Sequence, residues 1–171
     1  CCNFLLRRLS LHTDVEQRYS FAERYAALLR HHDASWINFW SATSAYYHAL
    51  RGETDKIPEI FSQHRLSAVN MLVPGKPMME MIENQVYLAQ GAYAKVVGRS
   101  TELLAVCDGM HYALVALHIR IQTAAAYEML GKTEEAHALL AKALSDAAPD
   151  GFVMPFVENY GYLEQMLARE I

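Results

Sequence analysis

The chain has 171 residues, of which 53% are hydrophobic and 20% are charged, a balance typical of a globular domain with a single buried core. Its 8 glycines and 5 prolines are too few for a turn-rich β-sandwich, so composition favours helices. The formal net charge of −4 has the wrong sign for a surface that binds nucleic-acid phosphates, and we expect no DNA binding by this segment alone.

No segment has the length and hydropathy of a membrane span, because the most apolar run, from Tyr112 to Ile121, is interrupted by His118 and Arg120. The 3 cysteines lack the spacing of a disulfide framework, which favours a reducing compartment. We therefore expect a cytoplasmic protein without membrane contact. The sequence opens on Cys1-Cys2, for which a piece of a longer protein is the favoured interpretation and a lipoprotein is the alternative.

Hydrophobic residues recur at helical spacing along the chain, and each proline lies near a point where this rhythm restarts. In chain order, the pattern predicts helices over residues 14–31, 34–51, 54–66, 77–90, 92–107, 110–130, 133–147 and 160–169. Thr54 and Thr133 are placed to cap two of these helices through their hydroxyl oxygens. No segment shows the alternation of a β-strand, so the predicted fold class is all-α.

A glycine recurs at positions 52, 91 and 131, and the residues around it follow a common pattern. A ring residue stands four positions before each glycine and a packing residue five positions after it: His48, Tyr87 and Tyr127, and Ile57, Val96 and Ala136. We interpret each glycine as the left-handed residue that ends the first helix of a pair, with the ring covering the turn.

Such helix pairs cannot bury both of their faces alone, so successive pairs are expected to stack. The predicted architecture is one domain over residues 1–171, a right-handed superhelix of antiparallel helix pairs with about seven or eight helices. Its repeats cover roughly 34–70, 77–108 and 110–148, and a C-terminal capping segment, 149–171, closes the stack with Phe152, Phe156 and Tyr160. The first helix of each pair should line the concave surface.

Tyr127, Gly131, Ala136 and Ala143 resemble the tetratricopeptide pattern, although the repeat is longer than the usual length of about 34 residues. A more specific resemblance lies at the end of the chain. There Lys142-Ala143-Leu144-Ser145-Asp146-Ala147-Ala148-Pro149-Asp150-Gly151 precedes Met154-Pro155-Phe156-Val157-Glu158-Asn159-Tyr160 and Leu163-Glu164-Gln165-Met166-Leu167. This ending is similar to the last repeat of the helical sensor region in large LuxR-type transcriptional regulators of the MalT kind.

The resemblance implies a non-catalytic domain that senses a small-molecule effector or a regulatory protein and that self-associates. Binding on the concave surface would be coupled to an ATPase module and a helix-turn-helix module outside this segment, and only the latter would contact DNA. The alternative is a stand-alone tetratricopeptide-type adaptor that binds a peptide segment of another protein. The reading frame on either side of the segment would distinguish the two. A helical enzyme is the third hypothesis, for which no catalytic constellation supplies residues.

The repeat phase places six residues on the concave surface, where we predict an effector or partner groove: Phe39, Tyr46, Met81, Gln85, His118 and Gln122. The densest aromatic set includes two of them and suits either a groove or core packing; it consists of Trp36, Phe39, Trp40, Tyr46 and Tyr47.

Other candidate chemical sites are better explained by structure. Gly131-Lys132-Thr133 resembles the end of a phosphate-binding loop, but Ala126 replaces the required first glycine, so an inter-helix turn with an exposed Lys132 is predicted. Cys107, beside Asp108 and His111, continues an apolar helix face and is predicted to be a buried structural thiol. The histidines, including His31, His32, His111 and His118, lack metal-ligand spacing, and we predict no catalytic, cofactor-binding or metal-binding residue.

A helix at the start of a stack has no upstream neighbour to cover it. Phe4, Leu5 and Tyr19 are therefore expected to seek a substitute apolar surface, which would promote self-association of the segment.

Overall fold

The computed structural model describes residues 15–29, 34–68 and 73–169. Within these ranges every regular element is helical, which confirms the all-α prediction. The nine α-helices are α1 (Val15–Leu29), α2 (Ala34–Leu50), α3 (Glu59–Ser62), α4 (Lys76–Ala89), α5 (Tyr93–Gly109), α6 (Ala113–Met129), α7 (Thr133–Ala147), α8 (Met154–Glu158) and α9 (Tyr160–Arg169). The count exceeds the expected seven or eight because of α8, a helix of 5 residues that the periodicity did not indicate.

The helix predicted over 54–66 is wrong. This stretch contains a 3₁₀ turn at Thr54–Lys56, the 4-residue helix α3, and the start of a second 3₁₀ turn at Leu66–Ala68. Pro58 has no N–H to continue a helix from the first turn, and it stands at the N-cap of α3. His64 then ends α3 with a positive φ of 55°.

The predicted threonine caps are also wrong. Thr54 and Thr133 are the first residues of their helices, and the cap positions belong to Glu53 and Lys132. Neither cap residue donates or accepts a side-chain capping hydrogen bond. A threonine inside the first turn cannot adopt the extended conformation from which its hydroxyl reaches the free N–H groups.

The three repeated glycines end helices in the way that their spacing predicts. Gly52, Gly91 and Gly131 have φ of 69°, 72° and 73°, and each is the second residue after the end of its helix, α2, α4 or α6. In each turn the following N–H donates to the carbonyl of the ring residue: Glu53 to His48 at 2.9 Å, Ala92 to Tyr87 at 2.8 Å, and Lys132 to Tyr127 at 2.9 Å. This is the Schellman arrangement, in which the left-handed residue satisfies carbonyls that the helix end leaves free.

The structure shows a half-repeat of 20 residues that the sequence analysis missed. The left-handed residues that end α4, α5, α6 and the turn after α7 are Gly91, His111, Gly131 and Gly151. His111 has φ of 56°, and the N–H of Tyr112 donates to the carbonyl of Cys107 at 2.9 Å, as in the glycine turns. Because a histidine occupies one of the four positions, the shorter period is not visible in the glycines alone.

Helices α2, α4, α6 and α9 contact one another in series, α5 packs against both α4 and α6, and α7 packs against α6. Consecutive helix pairs therefore share neighbours as a stack of repeats requires. The core has two parts, one mainly between α6, α7 and α9 with residues from α4, α5 and α8, and the other mainly between α2, α4 and α6 with residues from α3 and α5. The right-handed superhelical path of the stack stays a prediction.

The ends of the stack differ from expectation. Phe4 and Leu5 lie outside the described residues, whereas Tyr19 packs on α2, with its ring 4.4 Å from that of Tyr47. Of the three predicted end plugs, Phe156 is buried, but Phe152 and Tyr160 are 40% and 51% exposed. Phe152 precedes α8 and Tyr160 begins α9, so neither lies on the buried face of α8, which carries Pro155 and Phe156.

In the described part of the chain, no helix combines the length and the apolar character that crossing a membrane requires.

Replacing Gly131 by alanine is expected to destabilise the protein by about 1 kcal/mol, because a Cβ is strained at positive φ although the space around it is open. Gly98, inside α5 and equally open, is the matched control, and its replacement by alanine should stabilise the protein by about 0.5–1 kcal/mol. Urea denaturation of both variants measures the two signs. Equal shifts in one direction would contradict the helix-ending role of Gly131.

Candidate functional site

The six residues predicted to form a groove lie on α2, α4 and α6, and five of them are buried. Tyr46 is 8% exposed and the other four buried residues, Met81, Gln85, His118 and Gln122, are 5% exposed or less, while Phe39 is 46% exposed. We call the five buried residues, with the adjacent Asn84, the inner cluster. Their role in binding stays a prediction. The structure does bring together residues of three helices that the repeat phase assigned to one surface.

Amide side chains connect α4 to α6 inside this cluster. The Nε2 of Gln122 donates to the carbonyl of Met81 at 3.1 Å and to Oε1 of Gln85 at 2.9 Å. Among the described residues, the Oε1 of Gln122, the Nε2 of Gln85 and both amide atoms of Asn84 have no hydrogen-bond partner. Buried amide groups without partners cost free energy, so the cluster retains hydrogen-bonding capacity for a polar group.

The C-terminal segment reaches the inner cluster through a residue that sequence reasoning did not single out. The hydroxyl of Tyr46 donates to Oε2 of Glu158, on α8, at 2.6 Å, and the Tyr46 ring lies edge-on to the ring of His118 at 6.5 Å. Asn159, fully buried, donates to the carbonyl of Pro155 at 2.9 Å and holds the end of α8. The motif interpreted as an end cap is thus also bonded to α2, 112 residues away in sequence. The only sequence signal was a lone carboxylate within an otherwise apolar run.

A second hydrogen-bonded chain joins α1 to the turn that follows α2. His48 lies with Nδ1 2.8 Å from Oε2 of Glu53 and Nε2 3.0 Å from the hydroxyl of Tyr19, which is 2.7 Å from Oγ of Ser44. The order carboxylate, imidazole, hydroxyl is one that can activate a nucleophile. Here burial raises the pKa of the Tyr19 hydroxyl, and Ser44 is itself buried. The chain is therefore best explained as a fastening between α1 and α2.

The aromatic residues near this chain serve the same contact. The Tyr19 ring stacks on Tyr47 at 4.4 Å and lies 5.5 Å from Trp40. Of the two explanations for the aromatic set, packing accounts for these members, while the side chain of Trp36 lies outside the described residues.

The remaining sequence candidates lie in turns or in the core. Lys132 is exposed in the turn after α6, with Nζ 5.7 Å from the centre of the Tyr127 ring, as a turn residue should be. Cys107 is 1% exposed, which confirms the buried thiol, and burial together with Asp108 raises its pKa and disfavours the thiolate. His111 ends α5, where it occupies the left-handed turn position.

No group of three or more histidine, cysteine, aspartate or glutamate side chains that could hold a metal ion occurs in the described ranges. His31 and His32 lie outside them.

The chain matches no family model, and comparisons with curated proteins and with solved structures gave no significant match.

Replacing Tyr46 by phenylalanine removes the hydroxyl that donates to Oε2 of Glu158 in a part-buried hydrogen bond to a carboxylate. We expect a loss of about 2 kcal/mol in the free energy of unfolding. Tyr160→Phe is the matched control, because its exposed hydroxyl lies 3.3 Å from Glu164, and it should cost about 0.5 kcal/mol or less. Chemical denaturation compares the two. A loss at Tyr46 no larger than that at Tyr160 would mean that the contact between α2 and α8 contributes little.

The pKa of Glu53 is lowered to about 2 by hydrogen bonds from His48 and then Arg51. Because the folded pKa lies below the unfolded value, Glu53 stabilises the protein fully at pH above its unfolded pKa of 4.5, and this contribution is lost as pH falls towards 2. The difference in unfolding free energy between wild type and Glu53→Gln should therefore shrink across that window. Denaturation curves at a series of pH values measure it, with the exposed Glu59→Gln as a control that should change stability little throughout. A difference that grows on acidification would contradict the assignment.

Proposed function

We propose that this chain is a non-catalytic sensing and oligomerisation domain of a LuxR-type transcriptional regulator. In this proposal a small-molecule effector or a regulatory protein binds at the inner cluster and at the exposed Phe39, seven residues before Tyr46 on α2. The domain is cytoplasmic, has a tetratricopeptide-like right-handed superhelix, and acts on an ATPase module and a DNA-binding module outside this segment. It contacts DNA through the latter module.

The hydrogen bond between Tyr46 and Glu158 is the observation that carries this proposal. It connects α2 directly to α8 in the C-terminal motif, while α2, α4 and α6 also contact one another in series. A ligand that competes with Glu158 for the Tyr46 hydroxyl changes the position of α8. A ligand that leaves this hydrogen bond intact stabilises the present position of α8. Either effect gives two states with different ligand affinities, which is the requirement for coupling.

The energetic demand is modest. A tenfold bias between two states needs about 1.4 kcal/mol, the size of one or two hydrogen bonds. The amide atoms of Asn84, Gln85 and Gln122 that lack partners among the described residues could supply such bonds to a polar ligand. Because these amides are buried, a ligand reaches them only when α8 or a neighbouring element moves.

These same amides favour the second candidate, a stand-alone adaptor that binds a peptide segment. Side-chain amides donate and accept at once, so they match the alternating N–H and C=O groups of an extended backbone. The two candidates differ in what surrounds the segment in its gene. An upstream phosphate-loop module with a downstream helix-turn-helix supports the regulator, and their absence supports the adaptor.

Binding at the inner cluster can be tested with the 171-residue chain. A thermal-shift screen against sugars, nucleotides and a peptide array is followed by titration of each hit into Phe39→Ala and Tyr46→Phe. Hits should lose about tenfold or more in affinity with at least one of these variants. Phe152→Ala, a second half-exposed phenylalanine outside the cluster, is the control and should leave affinity unchanged.

Hits that bind both variants as tightly as wild type would place the binding site elsewhere, and a screen without hits would remove the basis for a sensor. A gel shift at moderate salt that shows tight duplex binding by this segment alone would also contradict the proposal, because DNA contact is assigned to another module.

A further inference from the structure

A cleft of about 300 Å³ lies on the side of α4 opposite to Met81 and Gln85. One wall is a stripe along α4 that consists of Lys76, Glu80, Glu83 and Tyr87. The other wall comes from the segment after α3, with His64 and Ser67, and from Arg99 of α5. This charged cleft shares no residue with the inner cluster, so an inference about it does not rest on the proposed function.

The cleft exists because α3 is short. In the next repeat, the 17-residue helix α5 packs along α6 and covers the positions equivalent to the stripe. The equivalent positions on α6 lie as far before Gly131 as the stripe residues lie before Gly91. They are Ala116, Arg120, Thr123 and Tyr127, of which Ala116 and Thr123 are buried. A helix of 4 residues cannot cover the same length of α4, and there Lys76 and Glu83 stand in place of alanine and threonine.

At the inner end of the cleft two rings stack on each other, and the charge of Glu83 is balanced by Arg99. The His64 and Tyr87 rings stack with centres 3.9 Å apart and planes 12° apart. Glu83, only 5% exposed, forms an ion pair with Arg99, whose guanidinium lies 5.5 Å from the centre of the Tyr87 ring. These groups form a fixed floor in which Arg99 keeps N–H donors beyond the one bound to Glu83.

The outer end holds a loosely paired acid and base. The Nζ of Lys76 lies 3.7 Å from Oε1 of Glu80, beyond ordinary hydrogen-bond distance, and the Lys76 side chain is 67% exposed. The Glu80 side chain is 18% exposed, so its carboxylate is largely withdrawn from water, and Lys76 is its one loose ion-pair partner among the described residues. Both groups are free to bind a ligand more closely than they bind each other.

We propose that the charged cleft binds a small zwitterion, a free α-amino acid. Its ammonium group pairs with Glu80, and its carboxylate pairs with Lys76 and the remaining donors of Arg99. A ligand with only a positive charge would pair with Glu80 and leave Lys76 without its partner, and one with only a negative charge would do the reverse, so a ligand that carries both charges is favoured. The volume is at the small end of ligand sites and suits a molecule of amino-acid size.

Isothermal titration of the 171-residue chain with each of the protein amino acids tests this assignment. The tightest binder is then compared with its amine, which lacks the carboxylate, and with its acid, which lacks the ammonium group. Glu80→Gln and Lys76→Gln should each weaken the amino acid by about tenfold or more, because each removes one charge-assisted hydrogen bond. Lys142→Gln is the matched control, since Lys142 forms an ion pair with Asp146 at the same helical spacing on α7.

The proposal is supported if the amino acid binds at least about tenfold more tightly than both analogues, if Glu80→Gln and Lys76→Gln weaken it, and if Lys142→Gln and Phe39→Ala do not. No binding by any amino acid overturns it. Equal binding of the amine overturns the zwitterion in favour of a cation site, and equal binding of the acid overturns it in favour of an anion site. Binding that survives both cleft variants, or that is lost in Phe39→Ala, places the ligand outside the cleft.

Discussion

Burial of α6 on all of its sides is the constraint on which the rest of the structure depends. From Ala116 to Ala126 every residue except Arg120 is buried, and both parts of the core include residues of this helix. A helix that is buried on every side needs neighbours on every side, and α4, α5, α7, α8 and α9 all contact it. The one exception, Arg120, also connects helices. Its guanidinium nitrogens lie 3.9 Å from Oδ1 of Asp108 on α5 and 3.1 Å from Oδ2 of Asp146 on α7.

The polar residues of α6 are placed by the same packing. Thr123 satisfies its hydroxyl within the helix, by donating to the carbonyl of Ile119 at 2.7 Å. Gln122 cannot do so and donates to α4 instead, which fixes the rotation of α4 against α6. Any α4 position that breaks these bonds leaves more buried amide groups unpaired, at about 1–3 kcal/mol each. The inner cluster is therefore a candidate binding site, and its hydrogen bonds also fix the position of α4 against α6.

Features with a local physical cause could be predicted from the sequence. The glycine turns follow from the cost of a Cβ at positive φ, and α6, α7 and α9 follow from apolar spacing. The turn at His111 was missed because histidine in a left-handed turn has no distinctive pattern. The bond from Tyr46 to Glu158 was missed because periodicity assigns a residue to a helix face without saying whether a distant segment covers that face. For this reason the residues predicted to line an open groove are found buried in the structure.

Helix α4 presents different kinds of side chain on its two sides. Residues 76, 80, 83 and 87 fall on one side and residues 81 and 85 on the other, because a spacing of three or four residues returns to the same face. From the sequence, Met81 and Gln85 of α4 were assigned to a groove, and the charged residues Lys76, Glu80 and Glu83 were given no role. In fact the charged side is partly enclosed, since Glu83 is 5% exposed and a neighbouring loop lies opposite it. Charged residues on a helix are commonly solvated, but those beside a shortened neighbour can form the wall of a cleft. Here Pro58 stands before α3 and the left-handed His64, itself part of the cleft lining, follows it, so α3 is confined to four residues and leaves that space unfilled.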